Sequence, residues 1–200
     1  MDFLDLEPEI APEVGGAPSP VVERAVREVA RDFCRRTQLW RDEQPPTKTR
    51  AERADVYLAI PPEAAVSAIL RATVGGRELQ PETSRRSHPG QQPTHYWLEQ
   101  GQILRLTPTP QEGGESLEVI LALIPSSTAA SLPDWIADEA REALVYGALS
   151  RLLVQRTSWG DPEMAQMYRQ QYEQEVARHR VAMSRGHSNA STHVQTRPFI

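Results

Sequence analysis

Five histidines, one cysteine and a stripe of arginines are the side chains from which this chain would have to build chemistry. His88, His95, His179, His187 and His193 fall in a loop, a strand, a helix and a tail, and no two stand at the spacing of metal ligands. Arg178 and Arg180 flank His179 and would repel a cation. Cys34, the single cysteine, excludes an internal disulfide and a multi-cysteine metal site. Beside Phe33 on a helical pattern it reads as a small buried hydrophobe and not as a nucleophile. Acid pairs such as Asp138-Glu139 lie on helix surfaces, where solvation explains them. The chain has no Gly-rich phosphate loop, no dinucleotide fingerprint, no nucleophile elbow and no His-Glu-x-x-His pair. The residues point away from an enzyme and call for no cofactor and no metal.

The arginines have an order that the histidines lack. Val22, Val26, Val29, Phe33 and Thr37 recur at helical spacing, with Trp40 extending the same face, and Arg24, Arg27, Arg31 and Arg35 fall opposite them. Glu23, Glu28 and Asp32 stand three or four residues from these cations, so the preferred reading is a solvated face laced by ion pairs. The alternative is a nucleic-acid-binding regulatory protein that uses Arg24, Arg27, Arg31 and Arg35 as its main surface. A pI of about 5.6 and the lack of clustered lysines argue against it.

These side chains are carried by two helical ends around a β-rich middle. Leu4 to Val14 suggests a short helix broken by Pro8 and Pro12, and Gly15-Gly16 is a firm break. Ser19 is placed to cap the arginine helix, with Pro20 in its first turn. Strand-like runs follow at Asp55 to Ile60, Ala65 to Val74, Arg77 to Leu79, His95 to Glu99, Gln102 to Thr107 and Leu117 to Ile124. Turn signals at Pro61-Pro62, Gly75-Gly76, Gln100-Gly101 and Gly113-Gly114 separate them at the spacing of antiparallel hairpins. Glu82 to Thr94 reads as a mobile polar loop. Ser131-Leu-Pro-Asp134 has the form of a capping box, and the helix it opens, through Ile136, Leu144, Gly147 and Leu152, is apolar over most of its circumference and so central. Its Ala143, Gly147 and Ser150 form a small face that lets another helix approach. Asp161 caps a final helix that starts at Pro162, carries Met164, Tyr168, Tyr172, Val176 and Met183 along one stripe, and ends at Gly186.

The expected fold class is α+β, a helical bundle with an inserted antiparallel β-sheet or sandwich subdomain and an extended C-terminal tail. The expected parts are 1–46, an N-terminal helical part; 47–126, the inserted β subdomain; 127–185, a C-terminal helical part packing on 1–46; and 186–200, a docking tail. Val26, Val29, Phe33, Ile136, Leu144 and Tyr168 are the expected core. Charge is segregated as well. Residues 1 to 14 hold Asp2, Asp5, Glu7, Glu9 and Glu13 without a basic residue, whereas from Val176 onward there are arginines and no acid. Such polarity suits contact between subunits or with a larger partner, beside the plainer reading of solvated ends. The tail closes on Pro198-Phe199-Ile200, an apolar hook that suits an extended segment ordered by a partner. No run approaches the ~20 apolar residues of a membrane span, and no signal peptide opens the chain, so a soluble product without membrane contact is expected.

With these elements placed, the chain resembles the head-to-tail adaptor proteins of tailed bacteriophages. The likeness is carried by the helix from Val22 to Thr37 followed by Leu39-Trp40 and by the strand and turn from Ile69 to Leu79. Tyr96-Trp-Leu-Glu-Gln-Gly-Gln-Ile-Leu-Arg-Leu-Thr-Pro108, the helix from Leu132 to Leu153 and Trp159-Gly-Asp-Pro-Glu-Met-Ala-Gln-Met-Tyr168 complete it. The resemblance implies a structural virion protein at the head-tail junction, made in the host bacterial cytoplasm. It implies a homo-oligomeric, dodecameric ring beneath the portal protein that extends the DNA channel, passes duplex DNA without sequence specificity and gives a platform to a tail or nozzle protein. Arg185, His187, Arg197, Pro198, Phe199 and Ile200 are then the portal-docking candidates, and Arg24, Arg27, Arg31 and Arg35 the subunit-contact or channel candidates.

Overall fold

The structure is a computed structural model that describes residues 1–82 and 90–184. The fold is α+β, and the chain divides into two compact units. One comprises Phe3–Leu39 with the chain from Asp134 onward, and the other Met1–Asp2 with Trp40–Pro133.

In the helical unit a 3-10 turn, Phe3–Leu6, runs into a short helix α1 (Glu7–Ile10), followed by α2 (Ser19–Thr37), α3 (Asp134–Leu153) and α4 (Pro162–Ser184). Pro8 sits in the first turn of α1, where its missing N–H is no loss, and so does not break it. The apolar stripe of α2 is buried from Val22 to Thr37. The helix then stops, because Gln38 takes a left-handed conformation, φ 53°, and its N–H donates to the Cys34 carbonyl at 2.9 Å. Trp40 therefore does not extend the helix face; it belongs to the β unit, where its carbonyl accepts the Leu123 N–H. Ser19 is the first helical residue and not the cap, and its hydroxyl donates to Glu7 at 2.8 Å. Asp161 does cap α4, accepting the N–H groups of Glu163 and Met164 at 3.1 Å each.

Helix α3 is the axis of this unit. Eleven of its residues are buried, and it packs against α1, α2 and α4. Gly147 sets its closest approach: a Cβ there would lie 2.4 Å from a Val29 methyl and 3.1 Å from the Tyr172 ring. Val26, Val29, Phe33, Ile136 and Leu144 are fully buried, whereas Tyr168 is only half-buried, its ring stacked on Tyr146 at 6.1 Å on the drifting edge of the α4 stripe.

The β unit holds β1 (Arg41–Glu43), β2 (Thr47–Lys48), β3 (Asp55–Tyr57), β4 (Ala64–Val74), β5 (Arg77–Glu78), β6 (Gln80–Pro81), β7 (His95–Glu99), β8 (Ile103–Thr107) and β9 (Ser116–Pro125). A five-stranded sheet runs β1-β9-β4-β5, with β2 also on β9, and a four-stranded sheet runs β3-β8-β7-β6. Gly75-Gly76 make the two-residue turn of the β4-β5 hairpin, both with the positive φ that a primed turn requires, and Gln100-Gly101, also at positive φ, begin the three-residue loop of the β7-β8 hairpin. Strands β1, β2 and β6 are too short to show periodicity. One pairing departs from the antiparallel expectation, since β6 lies parallel to β7. The cause is a change of sheet in mid-strand: the Leu79 N–H donates to Ala72 in the first sheet and the next N–H, of Gln80, donates to Thr94 in the second, each at 2.9 Å. Ser131, expected in a capping box, instead gives its hydroxyl and its N–H to the Glu63 carboxylate at 2.7 and 3.1 Å.

Candidate interaction surfaces

The arginines of α2 do not form one continuous surface. Arg24 is exposed and bonds Glu28 at 3.0 Å, one helical turn on. Glu28 also takes Arg151 of α3 at 3.0 Å, so a single carboxylate ties the stripe to the neighbouring helix. Arg27 is half-buried, paired with Glu23 and lying 6.0 Å from the Phe3 ring centroid. Arg31 is half-buried, and Arg35 is exposed in the last turn, where a cation suits the carbonyl end of the helix. Two of the four arginines expected as a surface, Arg24 and Arg27, are therefore matched by carboxylates of their own helix.

The most elaborate polar cluster centres on an arginine outside that stripe. Arg36 reaches Glu173 of α4 through two hydrogen bonds, Nη1 to Oε1 at 2.9 Å, and lies 3.5 Å from Asp32 and 5.7 Å from the Tyr172 ring centroid. The Tyr172 hydroxyl donates to Asp32 at 2.7 Å. The Glu173 hydrogen bonds raise the Arg36 pKa, and the same bonds hold the Glu173 carboxyl below its ordinary value. Burial, then the bond to Asp32, pushes the Tyr172 phenol up. Asp32 and Arg36 one turn apart on α2 were a legible pair, but nothing in the sequence connects them to α4. The cluster lines an open groove of about 1040 Å³ with Arg151 and Arg169. It holds no thiol or histidine, and Arg36 is engaged by both of its carboxylates; it fastens α2 to α4.

His179 is buried against Phe33, edge to face at 5.0 Å, with its ring nitrogens 2.8 Å from the Glu175 carbonyl and 3.2 Å from that of Glu139. It is satisfied as a packing residue. Among the described residues no group of three or more His, Cys, Asp or Glu side chains is placed to hold a metal, and no helix is long and apolar enough to cross a membrane. The docking candidates Arg185, His187, Arg197, Pro198, Phe199 and Ile200 lie outside the described residues, as do positions 83–89 of the long polar loop and the continuation of α4 to Gly186.

Two helical segments that flank a β-rich stretch in the chain, with polar clusters that fasten helices together, describe a structural part. The family model for the SU10 adaptor protein matches residues 1–196. The chain belongs to the SU10 adaptor protein family. Membership spans both units and makes this chain a structural phage adaptor, a component of the virion. The resemblance read from the sequence and the family agree. No curated protein matches this SU10 family member in sequence.

Proposed function

We propose that the protein is the head-to-tail adaptor that closes into a dodecameric ring beneath the portal protein, prolongs the DNA channel and presents a platform to the tail or nozzle protein. The observation that carries this reading is the family match over 1–196, which covers helices, strands and most of the polar tail alike. In it, the helical unit, Phe3–Leu39 with Asp134–Ser184, forms the ring body, Trp40–Pro133 the inserted β subdomain, and 186–200 the arm that docks on the portal. Arg185 and Arg197 supply charge-assisted contacts and Phe199 the apolar anchor, since a buried aromatic carries much of an interface's energy. The reading needs no catalytic group.

Cryo-electron microscopy of virions tests the placement: a ring of this protein between portal and tail is expected, and its location anywhere else in the particle sinks the proposal. For the arm, deletion of residues 187–200 is expected to leave the melting temperature nearly unchanged and to abolish attachment to DNA-filled heads. Normal attachment by the truncated protein removes the docking role.

A further inference from the structure

The corner by which the chain passes from β2 to β3 carries three cations within six residues, Lys48, Arg50 and Arg53, all exposed and none with a carboxylate partner among the described residues. The corner is held in place. Thr49 N–H donates to Glu115, Gly114 N–H to Thr49 and Glu52 N–H to Pro110, all at 2.8 to 2.9 Å, and a Cβ on Gly113 would meet the Ala51 nitrogen at 2.9 Å. The cations line a groove of about 610 Å³ with Tyr57, which is 76% exposed, and with Arg105, which is paired to Asp55 at 3.0 Å. Glu52 on the same turn and Asp55 interrupt the positive surface, which suits a partner offering a few discrete carboxylates better than a continuous polyphosphate strand.

The chain itself carries such a surface. On α3, Asp138 and Glu142 stand one turn apart, both exposed and without a cation partner among the described residues. One turn before them Trp135 is 52% exposed, an unusual place for so large an apolar ring. Cations beside an exposed tyrosine on the β unit match carboxylates beside an exposed tryptophan on the helical unit in both charge and apolar character.

We propose that the Lys48–Arg53 corner of one copy binds the Trp135/Asp138/Glu142 face of α3 on a second copy. Because the two patches are different surfaces of one chain, the contact is heterologous and repeats from copy to copy. It rests on the reading of the chain as a self-assembling adaptor and names a surface for that assembly.

The test is a reciprocal charge reversal read by sedimentation velocity of the full chain. Arg50→Glu with Arg53→Glu, and separately Asp138→Arg with Glu142→Arg, change exposed groups that have no ion partner, so circular dichroism and melting should match the wild type. Self-association of the wild type is expected to weaken as salt is raised, and each reversed protein alone to associate at least about tenfold more weakly. An equimolar mixture of the two is expected to recover wild-type association, because every contact in it pairs opposite charges again. A wild type that stays monomeric at all concentrations, association indifferent to both reversals, or a mixture that fails to recover overturns the proposal. So does loss of duplex DNA binding on reversal of the corner with self-association intact, which would make the corner a phosphate surface. The adaptor reading is judged separately, by whether the wild-type protein occupies the head-tail junction. Association untouched by either reversal leaves that reading standing, and charge-dependent association by a protein found elsewhere upholds the contact alone.

Discussion

Cys34 shows how far burial alone settles a residue's chemistry. Its thiol lies in the α2 stripe, essentially unexposed, and burial pushes its pKa up from 9.0 to about 12. The thiolate is the reactive form, so the folded protein at pH 8 should resist iodoacetamide and label only once unfolded. Rapid stoichiometric labelling of the native protein would show that this part of the helical unit opens. The Arg36–Glu173 pair makes a prediction of the opposite kind. A carboxyl whose folded pKa is lowered adds stability that is complete above its unfolded value of 4.5 and is lost as pH falls through the folded value. Replacing Glu173 by Gln should therefore flatten the stability-pH curve below about pH 4.5. The cost at neutral pH should be modest, about 0.5–1 kcal/mol in urea unfolding, because the Glu173 side chain is 47% exposed and solvent screens the pair. An unchanged acid limb would mean that the pair persists in the unfolded chain or contributes nothing.

The helices were the more legible elements, and the reason is physical. A helix of about twenty residues repeats its apolar period several times, so α2, α3 and the Asp161 cap of α4 are all visible in the sequence. Strands β1, β2 and β6, of two or three residues each, have no period to show. The helix stop at Gln38 was equally hidden, since it rests on a non-glycine residue in a left-handed conformation. The small face of α3 was legible, and it supports a sharp prediction. Ala at position 147 would gain about 1 kcal/mol of helix propensity but push a methyl into Val29, and overpacking of this kind costs about 1–3 kcal/mol. Gly147→Ala should be net destabilising, and adding Val29→Ala should recover part of the loss by removing the obstructing methyls. A double variant no better than the sum of the two single ones would show that the helices do not meet there. Phe33→Ala, which empties a fully buried site under Tyr172 and His179, should cost about 3–5 kcal/mol. A loss below about 1 kcal/mol would mean that the ring is not core.

At the scale of the whole molecule the question is what a net charge of −5 and so many arginines mean for an adaptor proposed to let DNA through. A passage that held duplex DNA tightly would oppose the movement it serves. Tight holding needs several unpaired cations in line, because affinity comes from the counterions they release. On α2 that condition fails: Arg24 and Arg27 face carboxylates of their own helix, and Arg36 is engaged by Glu173. The free cations of the β2–β3 corner are interrupted by Glu52 and Asp55. Fluorescence anisotropy with a labelled duplex at physiological salt should therefore find no affinity tighter than the ~10⁻⁴–10⁻⁶ M of ordinary nonspecific binders, and a shallow dependence on salt. Replacing Arg24 and Arg31 by Ala should change it little, since α2 presents no unpaired line of cations to be broken. Nanomolar binding with a steep salt slope that falls on those replacements would restore the regulator reading of the arginine stripe, and with it the view that this surface evolved to grip nucleic acid instead of letting it pass.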